Sequence, residues 1–231
     1  MGNSRIFLLS PASSSGKRAS LVFNPDADFT LAQRIRSESG APLGEVFSFL
    51  SGLYFRGKLT YARAFENPPS EAVSGIHIIT PGDGLCSPEL MVTLEDLEAF
   101  AEVPIDVGEP RYRVPLERDA AALAKGIGPT CEAVLLGSVA TGKYVDVLLP
   151  ILGDRLVFPE EFLGHGDMAR GGMLLKRAAT GVELTYIPAS DPSRLGNRTR
   201  RTGPHGTSMS EETANDPRAS QSKARDCPTR A

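Results

Sequence analysis

The strongest constraint on this chain is an alternation: short apolar runs bounded by turn residues, each separated from the next by a helical pattern. The runs at residues 5–10 (RIFLLS), 75–80 (GIHIIT), 133–137 (AVLLG) and 155–158 (RLVF) are apolar at successive positions, which suits strands covered on both faces. Between them, apolar spacing predicts helices over 30–39, 45–65, 93–102, 115–125, 143–152 and 170–179. Parallel neighbours need a long crossover, and a helix is the usual one. The expectation is therefore an α/β fold, a doubly wound and mostly parallel sheet with helices on both faces. A last strand over 182–187 is expected to complete it.

The folded part is expected to span residues 1–189. From about Ser190 the chain turns to Ser, Thr, Arg, Asn, Gly and Pro with almost no large apolar residue. Such a segment cannot bury enough apolar surface to offset its ordering entropy, so residues 190–231 read as a disordered polar tail. The tail holds eight Lys/Arg against five Asp/Glu, about +3, so within a net charge of -3 the part that folds carries about -6. That balance argues against a protein that coats nucleic acid non-specifically, but it leaves room for a small basic cleft.

Three cysteines and three histidines, widely scattered, make neither a disulfide framework nor a zinc-ligand cluster. No metal and no organic cofactor is implied. The apolar stretch from Ile6 to Leu9 is too short for a signal-peptide core or a membrane span, so the expected location is the cytoplasm, with no membrane contact. Nothing marks an obligate protein partner.

Doubly wound sheets gather ligands outside the carboxyl ends of their strands. The loop after the first strand, residues 10–18 (SPASSSGKR), is rich in hydroxyls, with Lys17 and Arg18 behind them. It is not a nucleotide phosphate loop, because Pro11 stands where that motif needs Gly and Arg18 where it needs Ser or Thr. Ser10, Ser13 and the backbone N–H groups can still hold a phosphate or a base edge, as can any solvated loop. Residues 41–58 (APLGEVFSFLSGLYFRGK) set Glu45, Tyr54, Arg56 and Lys58 in an apolar helix. Glu45 in a first turn suits the helix dipole as much as it suits catalysis. Tyr54 suits a core as well as it suits stacking on a base.

The loop at 80–88 (TPGDGLCSP) places Asp83 between two glycines, which is also ordinary turn chemistry. In 135–143 (LLGSVATGK), Ser138 and nearby N–H groups could meet an anion at a helix start. The densest segment is 159–172 (PEEFLGHGDMARGG), where His165, Asp167 and Arg170 fall among four glycines that allow close approach to a ligand. An exposed imidazole and a helix-start ion pair would produce the same letters.

The order of these pieces resembles the uracil-DNA glycosylase-like superfamily across most of residues 5–188. The matching places are the first-strand loop at 10–18, the Leu-Gly-Ser turn at 135–140 and the His-containing loop at 164–172. The first loop lacks the catalytic Asp or Glu of the best-known members, and the last reads His-Gly-Asp instead of His-Pro-Ser, so the resemblance points away from uracil. The chain is also similar to bacterial members that act in phage defence, excising hypermodified cytosines such as glucosylated hydroxymethylcytosine. The segments LYFRGK and GDGLC are similar, besides, to glycosylase-like domains of 7-deazaguanine modification in RNA or DNA.

The resemblance implies a monofunctional DNA glycosylase that flips a modified base into a pocket at the strand ends and leaves an abasic site. Asp167 would face the sugar, with His165 or Arg170 at the base or a phosphate and Glu45 as a second carboxylate. Ser10, Ser13, Lys17, Arg18, Tyr54, Arg56, Lys58, Asp83 and Ser138 would contact DNA or the base. The alternative is a nucleotide-binding or modified-nucleoside module of RNA or 7-deazaguanine pathways.

Overall fold

In the computed structural model, which describes residues 4–14 and 16–191, each of the four apolar runs forms a strand of one sheet. The chain runs β1 (Arg5–Leu9), α1 (Lys17–Phe23), α2 (Thr30–Arg36), β2 (Ala41–Pro42), α3 (Leu43–Ser51) and α4 (Leu53–Phe65). It continues through β3 (Ile76–Ile79), β4 (Leu85–Cys86), β5 (Met91–Val92), α5 (Leu94–Glu102) and α6 (Pro110–Gly126). The last elements are β6 (Glu132–Leu136), α7 (Val145–Leu152), β7 (Leu156–Pro159), α8 (Asp167–Thr180) and β8 (Tyr186–Pro188).

The sheet order is β4-β3-β1-β6-β7-β8. Its four inner strands are parallel, with Phe7 of β1 opposite both Ile76 and Val134, and both edge strands run antiparallel. The fold is thus α/β, with a mostly parallel sheet. Strand alternation explains why both faces are apolar. Phe7, Leu9, Ile76, Ile78, Val134 and Leu136 pack against α1 to α5 and α8, whereas Ile6, Leu8, Ile79, Ala133 and Leu135 pack against α6 and α7.

Several boundaries differ from the sequence expectation, each for a local reason. The helix expected over 45–65 is broken at Gly52, whose φ of +61° ends α3 and turns the chain into α4. An added Cβ there would lie 2.7 Å from the mobile end of the Arg18 side chain, which can move aside, so it is the backbone angle that calls for glycine. Residues 17–23, where the sequence pattern predicts no helix, form α1. The helix expected from 115 starts instead at Pro110, where a proline loses no hydrogen bond, and carries Pro115 inside it. α8 begins at Asp167, three residues before its expected start, which puts that carboxylate in the helix's first turn. The closing strand shrinks to Tyr186–Pro188 and pairs antiparallel with β7.

The closest helix contact joins α4 to α8 through facing glycines. A Cβ on Gly57 would approach the Gly171 carbonyl oxygen to 2.7 Å, and one on Gly171 would approach Tyr54 Cα to 2.9 Å. This contact offsets the roughly 1 kcal/mol of helix propensity that a mid-helix glycine costs. Gly57→Ala is therefore expected to destabilise despite the better helix former, by about 1–3 kcal/mol, read as a melting temperature lower by several degrees.

The expected tail lies, from residue 192 onward, outside the described residues. The main chain is still engaged just before it: Ala189 is buried, and its N–H donates to the Leu156 carbonyl at 2.8 Å. A truncation that removes 192–231 is expected to keep one cooperative unfolding transition near the full-length melting temperature. No helix among the described residues is long and apolar enough to cross a membrane.

Candidate functional site

Because β1 lies between β3 and β6, the connections leaving these strands diverge and open a crevice at their carboxyl ends. A pocket of about 490 Å³ occupies it. The loop after β1 supplies Ser10, Ser13 and Ser14, and the loop between β6 and α7 supplies Ser138, Lys143 and Tyr144. Tyr54 of α4 and Asp167 of α8 face it, and Pro81, Phe100, Val103 and Ile105 make an apolar wall. A hydroxyl-rich lining on one side and an apolar wall on the other suit a flat, polar-edged ligand.

The α4–α8 contact helps to place two of these groups. Tyr54 and Lys58 are four residues apart and share one face of α4, the face that approaches β1 and the start of α8. Lys58 is only 1% exposed. Its Nζ donates to the Ser10 carbonyl and, at 2.9 Å, to Ser10 Oγ, and it lies 4.6 Å from the Tyr54 ring centroid and 4.8 Å from that of Phe55. Burial draws this ammonium down to about 7, with the Asp167 charge acting the other way.

Tyr54 Oη is buried and finds no hydrogen-bond partner. Burial pushes this hydroxyl up to about 12; the Arg170 guanidinium opposes the rise but sits outside hydrogen-bond geometry. Tyr144 is likewise pushed up to about 12 by burial. Both phenols are therefore protonated at neutral pH. The Asp167 side chain is 71% exposed at the rim, and its charge is felt by Lys58, Tyr54 and Tyr144 alike.

Of the residues expected to form the site, the fold brings together Ser10, Ser13, Tyr54, Ser138 and Asp167 around the pocket, with Lys58 directly behind Ser10. Others lie apart from it. Both Glu45 carboxylate oxygens accept from Arg34 Nη1 at 2.9 Å, and Glu45 shares a separate depression with Arg56. Lys17 is exposed at the start of α1, and Arg18 donates to the Phe49 carbonyl at 3.1 Å. Asp83 is exposed in the turn after β3, where its N–H bonds Thr80 Oγ1 at 3.0 Å.

His165 is exposed with Nδ1 3.1 Å from the Leu163 carbonyl. Arg170 donates to the Phe162 carbonyl at 2.8 Å and holds Asp167 only loosely at 3.8 Å, so it braces the loop more than it faces a ligand. Ser14, Phe100, Lys143 and Tyr144 were not anticipated. Lys143 and Tyr144 directly follow a loop already singled out as a strand end, whereas nothing about Phe100 in sequence separates it from core.

No protein family, curated protein or solved structure matches this chain.

Proposed function

We propose that this chain is a DNA glycosylase that hydrolyses the N-glycosidic bond of a modified base, with hypermodified cytosine in phage DNA as the substrate suggested by the sequence resemblance. Included in this reading are membership of the uracil-DNA glycosylase-like superfamily, a cytoplasmic location and a role in antiviral defence. The observation that carries it is the Asp167 carboxylate at the rim of an aromatic, hydroxyl-lined pocket at the sheet's crevice.

Breaking an N-glycosidic bond builds positive charge on the sugar and negative charge on the departing base. A base inside a stacked duplex is out of reach and must be flipped into a pocket. With the base inside, its sugar stays at the rim beside Asp167, where a fixed negative charge stabilises the cationic transition state. Tyr54 and Tyr144, both protonated at neutral pH, line the pocket that would take the base. Ser13, Ser138 and Lys143 offer hydroxyls and a cation to the flanking phosphates.

The test is to incubate the protein with unmodified DNA and with phage DNA carrying hypermodified cytosine, then to reveal abasic sites with an abasic endonuclease. Nicking confined to the modified DNA is the expected result. Intact DNA in both reactions, together with retained nucleoside binding, would replace this reading by a module for modified nucleosides of RNA or 7-deazaguanine pathways.

A further inference from the structure

We propose that Ser10 is a base-activated hydroxyl of the pocket, with Lys58 Nζ as the group that receives its proton. Ser10 directly follows β1, lines the pocket and is 6% exposed, while Lys58 lies behind it at 2.9 Å from Oγ. The adjacent strand end is built to admit this serine, because a Cβ on Gly137 would come within 2.9 Å of Ser10 Cβ.

Holding a strand end does not require an amine. A neutral amide would donate to the Ser10 carbonyl without the several kcal/mol that burying an ammonium costs. No carboxylate forms an ion pair with Lys58 among the described residues, and its Nζ contacts are the two Ser10 oxygens and two aromatic faces. The ionisable groups around it are Tyr54 on its own helix, Asp167 and Arg170 at the start of α8, and Tyr144 at the start of α7; of these, only the Asp167 charge acts on it appreciably. Burial outweighs that charge, and a neutral amine, which can accept a proton, is well populated near pH 7.

The loop after β1 offers no carboxylate at positions 10–18 that could act as the base in place of this pair. In the hydrolysis proposed above, water oxygen bonds to the sugar C1′ as the C1′–N bond breaks and its electron pair leaves with the base. The water's proton passes to Ser10 Oγ, and the Ser10 proton passes to Lys58 Nζ, which becomes ammonium and returns the proton by way of Ser10 Oγ to the pocket, where the departing base takes it up. That step rests on the glycosylase reading; the activation of Ser10 does not.

An aryl or alkyl fluorophosphonate tests the activation directly. Ser10 Oγ would form a bond to phosphorus, the P–F bond would break with loss of fluoride, and the serine proton would go to Lys58. The expected result is an adduct mapped to Ser10 by mass spectrometry, formed at a rate that rises with pH and levels off above about 7. In Lys58→Met the rate should fall on the order of a hundredfold and lose the plateau.

No Ser10 adduct in the wild type, or equal labelling in a folded Lys58→Met, would overturn the proposal. Should Lys58→Met not fold, the wild-type profile decides, because a rise proportional to hydroxide with no plateau means no internal base. Excision on modified DNA separates the two ideas. An adduct without abasic sites would sink the glycosylase reading and leave activation standing. Abasic sites formed at an unchanged rate by Ser10→Ala would leave the glycosylase reading standing and overturn the hydrolytic step assigned to Ser10 and Lys58.

Discussion

Asp167→Asn is expected to lower single-turnover excision on modified DNA by a factor on the order of a hundred or more, with the protein still folded. Asn keeps the shape of the side chain and removes its charge, so a loss of rate would report electrostatic stabilisation of the sugar cation or water activation instead of packing. The fold predicts little structural cost. The side chain is 71% exposed, and its contact with Arg170, at 3.8 Å, is the kind of surface pair that contributes little. What the substitution does remove is a favourable charge in the first turn of α8, worth about 0.3–1 kcal/mol. Melting temperature measured in parallel should therefore move by only a few degrees. If excision persists at near the wild-type rate, the carboxylate that matters lies elsewhere. Glu45 and then Asp83 are the next to receive the same amide substitution, although the first is held by Arg34 and neither lines the pocket.

The second large effect concerns stability. Wild-type protein should gain stability as pH rises from about 7 toward 10.5, and Lys58→Met should lack that gain. In the folded chain burial draws the Lys58 ammonium down to about 7, whereas an unfolded lysine keeps its ordinary value of 10.5. Between the two, the unfolded state holds a proton that the folded state has released, so raising pH favours folding. Below about 7 both states are protonated and the dependence on this group vanishes. The slope approaches about 1.4 kcal/mol per pH unit, so two units inside the window amount to roughly 2–3 kcal/mol. In a chain of this size that is a rise in melting temperature of about 4–10 °C. Thermal unfolding at a series of pH values, taken as the difference between wild type and Lys58→Met, cancels the tyrosines and cysteines that also titrate. A flat difference would mean that Lys58 is not buried as an isolated amine.

Lys58 also shows where sequence reading reached its limit. The segment LYFRGK marked it as a cation for DNA, because long charged side chains usually reach solvent. Helical spacing does show that Tyr54 and Lys58 share a face while Arg56 points elsewhere. Which face turns inward is decided by the glycine contact between α4 and α8, and nothing in the 41–58 segment reveals that Gly57 will meet Gly171. The approach of Lys58 to Ser10, across 48 positions of chain, is equally invisible until β1 and α4 are packed.

The sequence by itself determined the α/β class, the parallel inner strands and the loops that bear the pocket. Each follows from local rules: buried strands need apolar residues on both faces, parallel strands need crossovers, and parallel sheets collect ligands at their carboxyl ends. Only the tertiary structure decided which ionisable residues meet. It set Asp167 at the pocket rim, paired Glu45 with Arg34, turned Arg170 to the Phe162 carbonyl and added Tyr144 and Phe100 to the walls. The physical reason is that a site of this kind is assembled from elements distant in the chain. Each side chain's exposure, partner and charge state is fixed by helix-on-sheet packing that no single segment encodes.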